Sequence, residues 1–352
     1  MNRLDARRII VVSGAGGVGK TTLSAAIAVA FAARGLRTVV LTVDPARRLA
    51  NALGLENFTE DLARVPAAEG ELWASMLDAR RYFDKVIERF AGSEAQRKRV
   101  TEHPLWRLTL DYLGGTQEYA AMERILEFAS DARWDRIVVD TPPTQNALDL
   151  FAAPDRLASF MESSVIRWFR DGESGGGLFS RGGKIALGLL EKILGGDFLS
   201  RLSEFLKELG GMESGFRDRH RAVMELLRGP EAAFLLVSSA TESRLTESVA
   251  FAEAVRTHGV GLEAVVLNRV DVPSAAPDSL AGEGPDVEAA RKILRFLDEA
   301  YREQKAVVEK FRTTFPNVAL RVVERSETSV HDVPHLKGLG ELLLGDSQRI
   351  AP

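Results

Sequence analysis

Residues Gly14 to Thr22 have the types and the spacing of a loop that binds phosphate. The segment reads GAGGVGKTT and fits the pattern GxxxxGK[ST]. Its glycines allow consecutive backbone N–H groups to turn inward onto a phosphate, and a helix that begins at the loop adds its dipole. In this pattern Lys20 neutralises the β- and γ-phosphates, and the Thr21 hydroxyl ligates Mg²⁺. We therefore expect the nucleotide to bind to Gly14, Ala15, Gly16, Gly17, Val18, Gly19, Lys20, Thr21 and Thr22.

Two carboxylates end apolar runs at places that face the phosphates in a parallel sheet. Asp44 follows the run Thr38–Val43, where a carboxylate can orient and deprotonate an attacking water. The alternative for Asp44 is structural, because Asp followed by Pro45 is a favourable helix start. Asp140 follows Ile137–Val139 and has the character of an acid that faces Mg²⁺ through a bound water. Its alternative is an ordinary aspartate in a turn after a strand.

Asn268 ends a later apolar run, Ala264–Leu267. A carboxamide offers a donor and an acceptor together, which suits the edge of adenine. Asparagine is also a common turn former, so this second interpretation stays open. The sequence thus predicts Lys20 and Asp44 as catalytic residues, Thr21 and Asp140 as the magnesium-facing residues, and Asn268 as an adenine contact.

The elements that must position these residues alternate along the chain. Short apolar, β-branched runs are separated by helical stretches, and an alanine-rich helix over Thr21–Arg34 can end at Gly35. This alternation predicts an α/β fold with a mostly parallel central sheet covered by helices on both faces. The predicted strands are Ile9–Val12, Thr38–Val43, Ile137–Val139, Phe234–Val237, Ala264–Leu267 and Val318–Val323, with Leu72–Leu77 as a further candidate.

Two long helical stretches interrupt that alternation, at about residues 80–133 and 155–228. We expect a single ATPase domain over residues 1–352 with a helical subdomain assembled from these two insertions. The apolar residues within segments 185–194 and 198–209 recur at helical spacing. They form either an exposed groove or ordinary core. Residues 272–286 are predicted to be a surface loop, and a long helix is predicted over about 287–312.

Composition excludes several classes of function. The net charge of −4 provides no basic surface for nucleic acid. The absence of cysteine excludes disulfides, thiolate zinc sites and capture of arsenite by thiolates. The chain begins almost directly with a strand and has no apolar run near the roughly 18 residues of a membrane helix. We expect a cytoplasmic protein without stable membrane insertion, and we interpret His331 and His335 as loop residues rather than a metal site.

With these residues identified, the chain resembles the arsenical-pump-driving and tail-anchored-protein-targeting ATPase family. The match rests on the loop Gly14–Thr21, on Asp44-Pro45-Ala46, on Asp140 to Thr144 and on Asn268. The resemblance implies Mg²⁺-dependent ATP hydrolysis with Asp44 as the catalytic carboxylate. It also implies a dimer, either a homodimer or a heterodimer with a paralogous ATPase, and a helical subdomain that binds a hydrophobic client such as a tail-anchored membrane protein.

Four positions depart from the pattern of this family. Ala15 stands where the family usually has a lysine that reaches the nucleotide of the other subunit. Arg47 replaces a histidine, Arg269 replaces a glutamine, and Thr241 stands where relatives carry a glutamate on the adenine side. A slow regulatory nucleotide switch in complex with a second ATPase subunit is therefore an alternative function. A metalloid-efflux motor is a weaker one, because the chain has no thiols and only one ATPase unit.

Overall fold

The computed structural model describes residues 3–43, 48–55, 58, 62–66, 68–112, 116–142, 196–210, 212–272, 280–326, 332–345 and 349–350. The chain divides into two compact units. The first, which we call the sheet unit, comprises Met1–Leu77, Ile125–Leu148 and Glu225–Pro352. The second, the helical unit, comprises Asp78–Arg124 and Asp149–Met224. Within the described residues, no helix combines the length and the hydropathy that crossing a membrane requires.

The sheet unit is built on one sheet, whose described strands lie in the order β3-β4-β2-β5-β1-β6-β7-β8-β9. Neighbouring strands are parallel except for the antiparallel pair β3 and β4. This mostly parallel sheet, with helices on both faces, confirms the predicted fold class. The strands are β1 (Ile9–Gly14), β2 (Thr38–Thr42), β3 (Ala63–Arg64), β4 (Leu72–Met76), β5 (Arg136–Asp140), β6 (Ala232–Ser238), β7 (Leu262–Val270), β8 (Ala319–Glu324) and β9 (Arg349–Ile350).

The central strands are apolar throughout because both faces of the sheet are buried. Consecutive side chains of a strand point to opposite faces, and in β1 all four of Ile9, Ile10, Val11 and Val12 are fully buried. Ile10 and Val12 belong to one core cluster, which extends to the helices that cover their face. The apolar runs in the sequence are therefore unbroken because helices cover both faces of the sheet.

Helix α1 (Lys20–Ala33) packs against a C-terminal helix, α11 (Val333–Leu344), within that cluster. The two backbones approach closely at Gly340, where an added Cβ would lie 2.0 Å from the Ala26 carbonyl oxygen. Leu336, Leu339 and Leu343 of α11 are buried there. The small residues of α1 and the glycine of α11 thus allow a contact that larger side chains would prevent.

The sheet unit also contains three further helices among its described residues. Helix α2 (Arg48–Leu53) contributes Leu49 and Leu53 to the same core cluster as α1. Helices α9 (Glu242–Thr257) and α10 (Pro285–Thr314) follow β6 and β7. Helix α10 begins two residues before its predicted start. Near its end, Phe311 is fully buried.

The helical unit contains α3 (Ala79–Phe90), α4 (Glu94–Thr101), α5 (Pro104–Tyr112) and α7 (Gly196–Gly210). The division between the units falls within α6 (Thr116–Ser130) and α8 (Glu213–Arg228). Glu123 of α6 is buried and ion-paired with Arg219 of α8 at 2.7 Å. A buried carboxylate without a cation would be strongly destabilising, so this pair ties α6 to α8 inside the helical unit.

One sequence-based expectation is wrong, and two short strands were not predicted. His335 is wrong as a loop residue, because it lies in the first turn of α11, where Asp332 caps the helix by accepting from the His335 N–H at 2.9 Å. Pro334 does not prevent this, since the N–H groups of a first turn have no helical partner. The strands β3 and β9, two residues each, were not predicted because such short segments carry no periodic pattern. His331 lies outside the described residues.

Candidate nucleotide site

The loop between β1 and α1 contains three glycines, Gly14, Gly17 and Gly19, at positions that another residue could occupy only with strain. Gly17 and Gly19 have φ angles of 79° and 96°, in the region that favours glycine. At Gly14 an added Cβ would lie 2.2 Å from the Val237 carbonyl oxygen. At Gly16 nothing lies within 4 Å of such an atom. The loop is therefore packed against β6 at its start and open at Gly16, where a phosphate can approach the backbone.

Lys20 is the first residue of α1, and its side chain folds back over the loop. Its Nζ donates to the Ala15 carbonyl oxygen at 3.0 Å, and the residue is buried. The ammonium thus lies against the loop at the N-terminus of a helix, where an anion is stabilised by both charges. Ala15 itself is buried as part of the core cluster.

The Asp140 carboxylate accepts hydrogen bonds from hydroxyl groups of α1 and β2. It ends β5, next to Val12 of β1 and Thr42 of β2 in the register of the sheet. Its Oδ2 accepts from the Thr21 hydroxyl at 2.8 Å and from the Thr42 hydroxyl at 3.1 Å. Its Oδ1 accepts from the Ser24 hydroxyl at 3.4 Å. The structure thus brings Thr21 and Asp140 together, and it adds Thr42 and Ser24 to this group.

The chemistry of this group fits a magnesium ion. Mg²⁺ takes oxygen ligands and is usually bound by one or two protein groups together with water and substrate phosphate. Thr21 and Asp140 provide a hydroxyl and a carboxylate of this kind beside the loop. Among the described residues no group of three or more His, Cys, Asp or Glu forms a cage that would hold a metal by itself.

Asn268 lies at the loop, but its carboxamide already bonds to the protein. Its Nδ2 donates to the Val18 carbonyl oxygen at 2.8 Å, and its Oδ1 accepts from the Arg269 N–H at 3.0 Å. Each atom retains one further hydrogen-bonding position. Asn268 therefore fixes the loop to the end of β7, a role that the sequence did not indicate. Its predicted contact with adenine stays a prediction.

Arg269 is a further residue, besides Thr42 and Ser24, whose contact at the site sequence reasoning did not predict. Its φ angle is +59°, in the left-handed region that non-glycine residues rarely adopt. The guanidinium Nη1 donates to the Gly17 carbonyl oxygen at 3.3 Å. A residue held in a strained conformation beside a binding loop is often part of the site. The only indication of this contact in the sequence was that Arg269 stands where the family resemblance implies a glutamine.

A cavity of about 340 Å³ opens beside the loop within the sheet unit. Its volume is near the lower limit for small-molecule pockets, about 300 Å³. Arg325 on its wall is paired with Asp271 at 2.5 Å, and this guanidinium lowers the pKa of the Asp271 carboxyl. The cavity is lined by Gly16, Gly17, Val18, Ser239, Ala240, Thr241, Arg244, Asn268, Arg269, Gln304 and Arg325.

Several predicted residues lie outside the described part of the chain. They include Asp44, Arg47 and Thr144, together with the apolar residues 185–194. Within the second apolar segment, Phe205, Leu206 and Leu209 are buried in the helical unit, so for them the ordinary-core interpretation holds. Phe205 stacks on His103 with ring centroids 5.1 Å apart.

Comparison with known proteins gives a match across nearly the whole chain. The family model described as anion-transporting ATPase matches residues 7–345. The protein named ATPase GET3B from Arabidopsis thaliana is 24% identical over 96% of this chain and 79% of its own length. Protein Rv2184c from Mycobacterium tuberculosis is 29% identical over 96% of this chain and 73% of its own length. A putative arsenical pump-driving ATPase 1 from Aquifex aeolicus is 24% identical over 96% and 79%.

Proposed function

This chain belongs to the anion-transporting ATPase family, and we propose that it is a Mg²⁺-dependent, dimeric member in which ATP hydrolysis controls a helical subdomain. Its ATPase activity follows from the family. The observation that carries the proposed site is the hydrogen bond of 2.8 Å between Thr21 and Asp140, next to the glycine loop. These are the two residues that would hold the Mg²⁺ of a bound magnesium-nucleotide complex.

The proposed roles follow from charge and position. Lys20 would hold the β- and γ-phosphates from the N-terminus of α1, and Mg²⁺ would be held by Thr21 directly and by Asp140 through a bound water. When bound, the ion supplies positive charge against the charge that develops on the transferred phosphoryl group. Thr42 and Ser24 orient the Asp140 carboxylate through their hydroxyls. Asp44 orients the attacking water and accepts its proton.

The nucleoside is proposed to lie in the cavity of about 340 Å³ that adjoins Gly16 and Gly17. Asn268 holds the loop in place and uses its remaining hydrogen-bonding capacity toward the base. The nearby Thr141 hydroxyl donates to the Val12 carbonyl oxygen at 2.9 Å. This bond anchors the start of the segment Asp140–Thr144, through which we propose that the state of the γ-phosphate reaches the helical subdomain.

Turnover of the purified protein tests this mechanism. We expect Mg²⁺-dependent release of phosphate, a loss of about 10²- to 10⁴-fold in turnover for Asp44→Asn, and a loss of ATP affinity of about 10-fold or more for Lys20→Ala. The matched control is Glu253→Gln, an exposed carboxylate on α9, which leaves both quantities unchanged. Equal turnover of the wild type and Asp44→Asn would remove Asp44 from the mechanism.

We propose a hydrophobic membrane-protein client for the helical subdomain. The apolar residues 185–194, with helical spacing, support this proposal, since burying a foreign helix requires a large apolar surface. Co-purification with a tail-anchored protein should be lost on Leu190→Asp or Ile193→Asp and retained on Glu191→Ala. Retention in all three variants would contradict the proposal.

The second candidate is a slow regulatory switch that works with another ATPase subunit. The observation that favours it is Ala15, which lacks the cation that relatives provide across the dimer. A stable complex with a paralogous ATPase, formed only with ATP, would support the switch. The metalloid-efflux motor stays the weakest candidate, because the chain has no cysteine to bind arsenite.

A further inference from the structure

Asp271 directly follows β7, beside the cavity proposed to hold the nucleoside, and two side chains hold its carboxylate. Its Oδ1 accepts from Arg325 Nε at 2.5 Å, and its Oδ2 accepts from Gln304 Nε2 at 2.8 Å. The Asp271 N–H in turn donates to Gln304 Oε1 at 2.8 Å. Arg325 and Gln304 are among the residues that line the cavity, and Asp271 is not. The carboxylate is therefore covered, on the side of the cavity, by the two side chains that bind it.

This group lies at the end of the cavity that is farther from the phosphate loop. The loop follows β1, and Arg325 follows β8, which is the third strand from β1 in the sheet. Strands in a sheet are about 4.8 Å apart, so the two strand ends are separated by about 14 Å. The Arg325 N–H donates to the Val270 carbonyl oxygen at 2.9 Å, which fixes its backbone to β7. A nucleotide with its phosphates on the loop would therefore extend its base toward Arg325.

The cavity wall offers donors of hydrogen bonds and, among its described residues, no carboxylate. Arg244, Arg269 and Arg325 contribute guanidinium groups, which carry only N–H donors and no acceptor. The Nε and Nη2 atoms of Arg325 lie 2.5 and 3.4 Å from the carboxylate oxygens of Asp271. Its Nη1 has no partner in the part of the chain that the structure describes, so it can donate to a ligand.

Adenine and guanine have opposite polarity at the edge that such a wall would contact. Position N1 is an acceptor in adenine and an N–H donor in guanine, and guanine carries a further amino donor at C2. A guanidinium therefore matches adenine and opposes guanine at N1. A free carboxylate has the reverse preference, because it can accept from the N1–H and the 2-amino group of guanine together.

We propose that Arg325, held on Asp271, is the residue that makes this site select adenine over guanine. The inference rests on the proposed position of the nucleoside in the cavity. Arg325 presents a donor to N1 of the base, and it also occupies the acceptor that guanine would need. Asp271 and Gln304 are positioning residues, since they hold the guanidinium at the wall.

Dissociation constants of the full chain for ADP, GDP and inosine diphosphate, measured with Mg²⁺ by calorimetry, test this role. The wild type should bind ADP about tenfold or more tightly than the other two, because both of their bases carry N1–H. Arg325→Ala exposes the Asp271 carboxylate and should shift the ratio of the ADP and GDP constants at least about tenfold toward GDP.

The matched control is Arg244→Ala, which removes a guanidinium from the same wall. Arg244 pairs with Glu247 at 2.6 Å, so its loss leaves Asp271 covered by Arg325. The variant should change the constants for ADP and GDP by the same factor and keep their ratio within about twofold of the wild type. This comparison separates the exposure of Asp271 from the loss of one positive charge.

Inosine diphosphate reports whether Asp271 is the acceptor, since its base is guanine without the 2-amino group. Arg325→Ala should bind GDP about tenfold more tightly than inosine diphosphate, and the added change Asp271→Asn should remove that preference. Inorganic triphosphate contacts only the loop and should bind the wild type and Arg325→Ala alike, which verifies that the variant is folded. Arg325→Gln is a second variant that should shift the ratio in the same direction.

The outcomes separate this role from the proposed function. A wild type that binds ADP and GDP equally would overturn the role of Arg325 while leaving the nucleotide site intact. Equal shifts of the ratio in Arg325→Ala and Arg244→Ala, or an unchanged ratio in an Arg325→Ala variant that binds triphosphate normally, would overturn it as well. A wild type that binds neither the diphosphates nor triphosphate would overturn the proposed nucleotide site, and this inference with it.

Discussion

At the scale of single residues, the organisation of the site depends on which neighbours hold each polar group. Asp140 is oriented by hydroxyls from α1 and β2, and Asn268 is held between Val18 and Arg269. In each case the functional group of the residue is fixed by hydrogen bonds before any ligand binds. Such preorganisation lets binding energy act on the ligand rather than on ordering the site.

Thr42→Val should lower turnover about fivefold while changing ATP affinity little. The substitution removes the hydroxyl that donates to Asp140 at 3.1 Å and keeps the shape of the side chain. Loss of one hydrogen bond to the carboxylate corresponds to about 1 kcal/mol. The matched control is Thr38→Val at the other end of β2, where the hydroxyl bonds only to the Leu36 carbonyl oxygen. Equal losses of turnover in the two variants would show that orientation of Asp140 is not responsible.

Asn268→Asp should weaken ATP binding about tenfold by loosening the loop. The carboxylate still accepts from the Arg269 N–H but cannot donate to the Val18 carbonyl oxygen. Two acceptors would then face each other, which costs about 1–3 kcal/mol. Affinities for ATP, GTP and inorganic triphosphate distinguish the two roles of this residue. A loss shared by all three ligands indicates the loop, and a loss confined to ATP would indicate base recognition instead.

Protonation of His103 should lower the stability of the helical unit as the pH falls from 7.5 to 5.5. Burial lowers the pKa of His103, and its Nδ1 accepts from the Leu105 N–H at 3.2 Å, which requires the neutral ring. A base whose pKa is lower in the folded than in the unfolded state contributes full stability above the unfolded pKa, about 6.5, and loses it as the pH drops. Melting temperatures across this range measure the slope, and His103→Asn, which keeps an acceptor, should reduce it.

At the scale of secondary-structure elements, the helix pair α1 and α11 illustrates how close packing restricts sequence. Gly340→Ala should destabilise the protein by about 3 kcal/mol, because its Cβ would meet the backbone of Ala26, which cannot move away within a helix. Gly338 of the same helix has nothing within 4 Å of an added Cβ. Gly338→Ala is the control and should raise stability by about 0.5–1 kcal/mol. Denaturant unfolding of both variants measures the difference, and equal effects would contradict the contact.

The strands of the central sheet were predictable because burial on both faces leaves an uninterrupted apolar signal. All seven predicted strands are present, each within a few residues of its predicted bounds. The start of α11 was not predictable, since a helix that begins Val333-Pro334 depends on its cap at Asp332 rather than on an apolar period. The burial of Phe205 was equally undetermined, because an apolar helix face has the same pattern in a core and in a groove.

At the scale of the whole molecule, we propose that the absence of a cation at position 15 limits the turnover of the homodimer. Ala15→Lys should raise the turnover of the homodimer at least tenfold, since cations acting across a subunit interface contribute as much as 10³–10⁵ in related systems. Turnover of the wild type and the variant at equal dimer concentration measures this. Unchanged turnover would mean that another cation serves, and Arg47→Ala and Arg48→Ala would then test the two arginines that follow Asp44-Pro45-Ala46.

The sequence alone determined the phosphate loop, the fold class and the family. The glycine loop with its flanking strand and helix is encoded within about thirty consecutive residues. The fold class and the family follow from apolar runs and short motifs that are each local, although they are spread along the chain. Only the tertiary structure decided which distant groups meet. Thr21 and Asp140 are 119 residues apart, and Asn268 bonds to Val18 across 250 residues. Such contacts follow from the order of strands in the sheet, which local patterns do not specify. Local patterns also do not specify which part of α10 is buried by its own chain and which part is exposed.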